Sequence, residues 1–396
     1  MAEKYGVSAQ LVKSIARTPV DTSTQVIFIG ASKSGTLNEA VEVFSFKDYS
    51  EKLGGEAGDG FNLTEAAHIA FEIANLDSVW MIPVANSSVF SADDYIGAEA
   101  QETGVYAVQR LLREHPTAVN ILCCPSVTDS TVITPLIANA KKAAGHWDSM
   151  VYFDNDLADD AVTGDVVTDV SAFGEGFTLR DEQAVACVGR VKDNAENWLS
   201  LAAVRACLQA KADAENHNIP ARSGGNLPIP MIVGWGDGTD ILQLPEGTAT
   251  TLSSNGICSV INLGGGMYRT WGDHTSAYRE GGECDERARF DCTMRMLLMI
   301  TNRFQLKYRS EIDEKMTLQM RNDIINEQLD YLNGLVGSGD ILGEPIVAFD
   351  KKINTEDNLQ QGQFTWSIQC TPTLPLKYAQ VDVAYSTAGL SVYTAE

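Results

Sequence analysis

The sequence predicts a mixed α/β protein with two domains, an N-terminal α/β domain and a C-terminal α/β domain, and with extended arms at both ends. Three observations predict this class. The 396 residues exceed one ordinary compact domain. Apolar residues make up 44% and charged residues 21%, which is enough to bury a sizeable core. Short apolar β-branched runs alternate with helical periodicity, as in a largely parallel sheet covered on both faces.

The N-terminal half shows this alternation most clearly. Residues 1–22 mix Lys, Ser and Thr, and we interpret them as an arm before the first strand. Apolar runs and spacings then predict, in order, strand Thr24–Gly30, helix Asn62–Ala74, strand Ser78–Ala85, helix Ala98–Glu114, strand Ala118–Pro125, helix Thr131–Ala144 and strand Met150–Asp154.

An acidic segment follows. Residues 151–182 contain nine acids and one base, with three glycines, and predict a loop or an exposed hairpin. We name residues 154–182 the acidic loop. Strands Ala184–Val191 and Pro230–Trp235 then flank a helix, Trp198–Asp213. The turn-rich stretch Gly236–Gly247 places the domain boundary near residue 250.

The C-terminal half predicts a strand (GICSVINL), the glycine turn Gly264–Gly266 and two long helices. The first helix is Ala288–Tyr308, and the second carries Met316, Met320, Ile324, Leu329 and Leu332 on one side. Two strand-like runs end the chain, FTWSIQC and LKYAQVDVAYST. The predicted divisions are therefore an arm 1–22, an N-terminal domain 23–250, a C-terminal domain 251–374 and an arm 375–396.

Charge excludes some classes of partner. With 53 acids against 29 bases, the formal net charge is −24, and no basic run exceeds a pair. Phosphate backbones and anionic membranes should repel such a chain, so neither nucleic acid nor a stably bound membrane is an expected partner. No apolar window approaches the length of a membrane span. Several of the eight cysteines lie inside apolar runs, which indicates reduced, buried thiols and synthesis in the cytoplasm.

The sequence contains partial matches to motifs for catalysis and cofactor binding, and each match lacks a required residue. Gly30–Thr36 has the glycines of a phosphate loop, but Thr36 stands where the lysine is required. The same stretch approaches a nucleophile elbow around Ser32 and lacks its last glycine. Asp154–Asp159 departs from a calcium loop at its fifth and sixth residues. The sequence therefore predicts no catalytic residue, no cofactor site and no metal site.

A set of loose motifs extends through the whole chain. The opening PV…TST…FIGAS begins at Pro19, and SVWMIPVA and NILCCPSVTD follow. The most specific block contains Gly265, Gly266, Trp271, Gly272 and Thr275. In this combination the sequence resembles the tail sheath proteins of contractile phage tails and related contractile injection particles, whose C-terminal domain carries a glycine followed by "vWG.rT". His274 stands where Arg is common in that motif.

The resemblance implies a structural subunit and no enzyme. Such subunits form stacked hexameric rings wound around a tail tube, and contraction drives the tube through the target cell envelope. The implied partners are further copies of the chain, the tail tube protein, and the baseplate and tail terminator proteins. The implied location is the sheath of a virion tail made in a bacterial cytoplasm. Phage tails, headless bacteriocins and other injection particles fit the resemblance equally.

Two sets of residues acquire expected roles from the resemblance. In the family, terminal arms cross to neighbouring subunits and complete a sheet in the sheath-core C-terminal domain. The expected inter-subunit strand contains Leu376, Tyr378, Val381, Val383 and Tyr385. The expected tube contact is the charged segment with Lys307, Arg309 and Lys315. From the residues alone, the C-terminal run is equally an ordinary terminal strand within one chain.

Two other classes remain as alternatives. The first is a cytoplasmic α/β enzyme, a hydrolase or nucleotide-binding protein, whose site is not contiguous in sequence. The second is a soluble binding module that assembles with a different partner. Oligomer size and the effect of removing the terminal arms distinguish both from a sheath subunit.

Overall fold

The computed structural model describes residues 22–56, 58–141, 147–158 and 160–393. The chain divides into two units, the first ending at Thr317 and the second beginning at Leu318. The predicted N-terminal arm lies outside the described residues except for Thr22. The mixed α/β class predicted from the sequence is confirmed.

An eight-stranded mixed sheet forms the centre of the first unit, which also contains a three-stranded sheet and a two-stranded hairpin. The strands of this unit are β1 Thr24–Ala31, β2 Val41–Val43, β3 Val79–Ala85, β4 Val119–Cys123, β5 Met150–Asn155, β6 Val162–Thr163, β7 Val166–Val167, β8 Ala184–Val188, β9 Arg190–Asp193, β10 Trp198–Ser200, β11 Ile232–Gly236, β12 Ile257–Asn262 and β13 Tyr268–Trp271. The large sheet has the order β13-β12-β8-β5-β4-β1-β3-β2, and only its edge strands β2 and β13 run antiparallel to their neighbours.

Helices cover this sheet. They are α1 Phe46–Leu53, α2 Asn62–His68, α3 Ala92–Ile96, α4 Ala107–Glu114, α5 Ser130–Asn139, α6 Leu201–Glu215, α7 Glu246–Ser254 and α8 Asp291–Tyr308, with a π-helical turn Ile69–Ile73 continuing α2 and short 3₁₀ turns between them. Strands β4, β5 and β8 are buried along their whole length. They read as unbroken apolar runs because both faces of the sheet are covered.

The strand order creates a switch point between β1 and β4. From β1 the chain first adds β3 on one side and then β4 on the other, so the connections diverge at the carboxyl ends of β1 and β4. Helix α6 packs against β1, β4, β5 and β8, and it is buried over most of its length. Ser200 caps its start by accepting the N–H of Ala203.

Two predicted helices are shortened in the structure. Positive φ angles at Glu102 (51°) and Gly104 (61°) break the predicted helix 98–114, and only α4 remains α-helical. A Cβ on Gly104 would lie 2.4 Å from the carbonyl oxygen of Tyr95, so this turn requires glycine. The predicted helix 198–213 begins only at Leu201, because Trp198–Ser200 pairs with β9 as a strand.

The domain boundary predicted at residue 250 lies inside the first unit. Strand β12 pairs in parallel with β8, and β13 pairs antiparallel with β12. Residues 257–271 therefore extend the central sheet and do not begin a separate domain. Local patterns do not reveal this arrangement, because the parallel partner of β12 lies far earlier in the chain.

The acidic loop is anchored at both ends. It contains the hairpin β6–β7, as predicted, but its first residue, Asp154, is buried at the end of β5. Arg180, near the other end of the loop, donates hydrogen bonds to five backbone carbonyls, those of Phe173, Gly174, Asn255, Ser276 and Tyr278. This guanidinium therefore joins the loop to the end of α7 and to the segment that follows β13.

The second unit is a long helix with a two-stranded sheet. Its elements are α9 Leu318–Ser338, β14 Ile341–Ala348, α10 Glu356–Gln360 and β15 Ser367–Pro372. The predicted strand FTWSIQC corresponds to β15, which pairs with β14 and not with the run that follows it. Strand β14 has no counterpart in the sequence analysis, because Gly343 and Pro345 interrupt its pattern at a bulge between Leu342 and Ile346.

Candidate functional site

The C-terminal segment carries exposed apolar side chains. Leu376, Tyr378, Val381, Val383 and Tyr385 are between 76% and 88% exposed. Residues 373–387 form no ladder with any strand among the described residues, so the predicted second strand is not formed within the chain. The sequence analysis missed four further exposed apolar residues around it, Leu374, Leu390, Val392 and Tyr393. The same apolar alternation would have identified the first of them.

The spacing of the five arm residues contains one break. Leu376 and Tyr378 occupy even positions, whereas Val381, Val383 and Tyr385 occupy odd positions. Alternate residues of a strand point to opposite faces, so one continuous apolar face requires a one-residue bulge near residues 379–380. With that bulge the segment is a strand with one apolar face and a polar opposite face.

The small sheet of the second unit is incomplete. Strands β14 and β15 pair only with each other, so each leaves one edge unpaired within the described part of the chain. Leu342 and Ile346 of β14 are about half exposed. Two-stranded sheets are marginally stable, and unpaired edges accept further strands. This sheet therefore has the geometry to accept an extended segment.

The block with the specific sequence motif connects β13 to α8. Gly265 and Gly266 form the exposed turn of the β12–β13 hairpin with positive φ, as the glycine-turn interpretation predicted. Gly272 has φ 97°, and a Cβ there would lie 3.0 Å from the carbonyl oxygen of Ile257. Trp271 is only partly buried on the edge strand.

His274 and Thr275 complete this connection. The Thr275 hydroxyl donates to the carbonyl of Ala288, and His274 Nδ1 lies 2.8 Å from the carbonyl of Arg289. The His274 ring stacks on Tyr278 and on Phe290, with centroids 3.9 and 5.0 Å apart. The motif residues therefore fix the entry into the long helix α8 within one chain.

The expected tube-contact residues lie at the end of the first unit. Lys307 is in the last turn of α8 with its ammonium group 5.8 Å from the centre of the Tyr308 ring, while Arg309 and Lys315 are exposed. Three acids, Glu311, Asp313 and Glu314, lie between Arg309 and Lys315 and are also exposed. The segment is therefore mixed in charge.

The catalytic candidates weighed in the sequence do not form a site. Ser32 is fully buried, and its hydroxyl donates to the carbonyl of Ser34, 2.7 Å away. Among the described residues, no group of three or more His, Cys, Asp or Glu side chains is placed to hold a metal ion. No helix in this part of the chain is long and apolar enough to cross a membrane.

One cavity of about 690 Å³ opens at the switch point. Glu65 lies in the lining of this cavity, and the Ser126 hydroxyl is 2.9 Å from each of its two carboxylate oxygens. The backbone N–H of Ser200 donates a hydrogen bond to one of these oxygens. Burial raises the pKa of Glu65 to about 7. Arg190 lies in the wall and donates to the carbonyl of Ser126 at 3.3 Å. An enzyme interpretation would depend on this carboxylate beside a hydroxyl.

Comparison with known proteins supports a specific fold. No family model matches the chain, and no curated protein matches it. The fold is shared with sheath proteins of contractile particles. A chain in the six-fold symmetrised baseplate of the anti-feeding prophage is 15% identical, with a TM-score of 0.70, and covers 98% of this chain and 100% of its own length. A chain of the contracted sheath complex of PVC, an extracellular contractile injection system, is 12% identical, with a TM-score of 0.70 and coverage of 98% and 99%.

The crystal structure of a further sheath tail protein shows the same fold. A sheath tail protein from Listeria innocua is 12% identical, with a TM-score of 0.56, and covers 90% of this chain and 96% of its own length. The chain therefore has the fold of a tail sheath protein over nearly its full length, as the sequence resemblance implied.

Proposed function

We propose that the chain is a structural subunit of a contractile tail sheath, which assembles with copies of itself around a tail tube. The observation that carries the proposal is the C-terminal arm, residues 375–396. The apolar side chains of residues 376–393 are exposed, and this described part of the arm pairs with no described strand of its own chain. A sheath fold with an unpaired arm and an incomplete small sheet supports exchange of arms between subunits.

The physical basis of this exchange is strand addition. An arm that pairs with a free edge of β14 or β15 in a neighbour gains ladder hydrogen bonds and buries its apolar face. Full burial of one large apolar side chain contributes about 1.5–3 kcal/mol. Five such residues per arm would make the connection durable, even after the entropy cost of ordering the segment. Residues 1–22 are the candidate second arm.

Contraction would be driven by the larger interface area that subunits bury in the contracted lattice than in the extended one. Subunits stacked as hexameric rings would rotate and shift as rigid bodies, while the exchanged arms act as hinges. The free energy would come from interface burial and not from a bound nucleotide. Lys307, Arg309 and Lys315 are the proposed tube contact, and the exposed part of the acidic loop would keep neighbouring particles apart. The proposed partners are tube, baseplate and terminator proteins in a tail.

A non-enzymatic role is supported by the kind of proteins that share the fold, which are sheath proteins. The test is negative-stain electron microscopy of the purified full-length chain and of a variant that lacks residues 375–396. We expect tubes or stacked rings only in the full-length protein. A variant that lacks only residues 394–396 is the matched control and should still assemble. Compact monomers in all three samples would reject the proposal. They would favour the enzyme interpretation, with Glu65 and Ser126 as its candidate residues.

A further inference from the structure

Cys187 and Cys258 lie directly opposite each other on neighbouring parallel strands. They are register partners in the β8–β12 ladder, and both are buried. Register partners project their side chains to the same face of a sheet. Adjacent strands are about 4.8 Å apart, and disulfides bridge Cα atoms that are about 4.4–6.8 Å apart. Both thiols are free in the structure.

A buried arginine lies beside the two thiols. Arg205 of α6 is fully buried, and its Nη2 donates to Asp291 at 2.8 Å. Its Nε and Nη1 have no hydrogen-bond partner among the residues that the structure describes. The thiol of Cys187 and the guanidinium of Arg205 lower the pKa of Cys258, whereas burial raises the pKa of Cys187 well above its usual range. The pair therefore contains one thiol disposed to ionise and one disposed to remain protonated.

We propose that Cys187 and Cys258 form a redox-convertible pair, which a peroxide oxidises to a disulfide between β8 and β12. The Cys258 thiolate attacks one peroxide oxygen. The O–O bond breaks, and the products are a sulfenic acid and hydroxide, which the displaced thiol proton converts to water. The Cys187 sulfur then attacks the sulfenic sulfur. The S–S bond forms, the S–O bond breaks, and the oxygen leaves as water with the Cys187 proton. Two thiols and one peroxide thus give one disulfide and two waters.

The position of this bond gives it a structural consequence. The β8–β12 ladder contains only two register pairs, whereas the neighbouring β5–β8 ladder contains five. It is the shortest ladder in the eight-stranded sheet. A disulfide there would covalently join the β12–β13 hairpin to the rest of the sheet once the protein left a reducing cytoplasm. The inference does not depend on assembly into a sheath.

The test uses the reduced full-length chain, treated with increasing hydrogen peroxide and then quenched, unfolded, alkylated and digested for mass spectrometry. We expect a cross-linked peptide pair that contains Cys187 and Cys258, lighter by two hydrogens and separated again by dithiothreitol. Cys284 and Cys370, which are partly exposed, report the reaction of ordinary thiols in the same sample. The proposal is wrong if Cys187 and Cys258 are still alkylated as free thiols when those two are oxidised. A disulfide from Cys258 to any other cysteine would overturn it as well.

Variants and exchange measurements separate the pair from general thiol damage. Cys187→Ala should abolish the cross-link, so that oxidation of Cys258 stops at the sulfenic acid. Cys292 is also buried, and Cys292→Ala should retain the cross-link. If Cys187→Ala does not fold, hydrogen exchange of the oxidised wild-type chain gives a second test. Backbone amides of β12 should exchange more slowly after oxidation, and an unchanged rate would exclude stabilisation of this ladder.

Discussion

Arg295 and Asp213 form an ion pair 2.5 Å long, in which neither side chain is exposed to solvent. The pair joins α8 to α6 inside the first unit. The hydroxyl of Thr24 and the amide of Gln209 also donate to the Asp213 carboxylate, which completes its hydrogen bonding. A second buried pair, Arg205 with Asp291, joins the same two helices. Four charges are therefore buried between α6 and α8, and each depends on its partner.

We expect Arg295→Met to destabilise the first unit strongly. The substitution leaves the Asp213 carboxylate buried without its counter-ion, and breaking such a pair costs about 3–5 kcal/mol. The exposed pair between Arg287 and Glu182, 2.9 Å long, is the matched control, and Arg287→Met should cost less than about 1 kcal/mol. Urea denaturation measures both. Equal losses of unfolding free energy in the two variants would contradict the role given to the buried pair. The double variant Arg295→Met with Asp213→Leu removes both charges and should recover most of the stability.

Stability should fall as the pH rises from 5 to 8, because of Glu65. Its carboxyl has an unfolded pKa of 4.5, and burial raises the folded pKa to about 7. Between these values unfolding releases a proton. The stabilisation is therefore complete below pH 4.5 and is lost as the pH passes 7. Burial also raises the pKa of the neighbouring Asp154, which acts in the same direction.

Glu65→Gln should remove most of this dependence. The wild-type free energy of unfolding should fall relative to that of the variant by about 2.5 kcal/mol between pH 5 and pH 8. Chemical denaturation at the two pH values measures the difference. Glu196→Gln, an exposed position in the wall of the same cavity, is the control and should leave the wild-type slope in place. If Glu65→Gln has the same dependence of unfolding free energy on pH as the wild type, that dependence arises from other groups.

One face of the C-terminal arm should control assembly. Val381→Lys with Val383→Lys places charges on the apolar face, so strand addition would bury uncompensated ammonium groups. We expect tubes to disappear while the melting temperature of the isolated subunit stays constant, because both side chains are exposed in it. Gln380→Ser with Asp382→Ser alters the opposite face and should preserve the tubes. Sedimentation velocity and calorimetry give the two readouts, and loss of tubes in both variants would argue against a one-faced strand.

Gly272→Ala should destabilise the first unit. Its φ of 97° disfavours any residue with a Cβ, and the new methyl group would lie 3.0 Å from the carbonyl oxygen of Ile257. Both effects together should cost more than about 1 kcal/mol. Gly247→Ala in α7 is the matched control, because nothing lies within 4 Å of its Cβ position, and it should be neutral or stabilising. A thermal melt in which Gly272→Ala matches wild type would exclude the strain argued here.

The central strands could be predicted because burial on both faces leaves a continuous apolar run. Strands β1, β3, β4 and β5 lie within one or two residues of the predicted bounds. The predicted helix 98–114 failed because Glu102 and Gly104 adopt positive φ, which helical periodicity does not detect. Strand β14 was missed because Gly343 and Pro345 hide its pattern. In each case a single backbone conformation outweighs the periodicity of the side chains.

Pairing between strands that are distant in the chain is the second feature that the sequence does not reveal. The pairing of β12 with β8 places residues 257–271 in the central sheet, although the turn-rich stretch before them indicated a boundary. Alternation predicts a strand over the run that contains Leu376, Tyr378, Val381, Val383 and Tyr385, and only the resemblance assigns that strand to a neighbouring subunit. Alternation describes one strand and not the edge with which it pairs, so the sequence could not decide between this chain and a neighbour.

Arg180 also limits how the acidic loop can diverge among related chains. Lysine offers three donors from a single nitrogen, whereas five carbonyls here converge on the two terminal nitrogens of a planar guanidinium. Replacement of Arg180 by lysine should therefore be selected against. The tip of the hairpin at Gly164 carries no comparable requirement, since nothing lies within 4 Å of its Cβ position. Insertions and changes of charge should accumulate at that tip in related sequences, with the arginine retained.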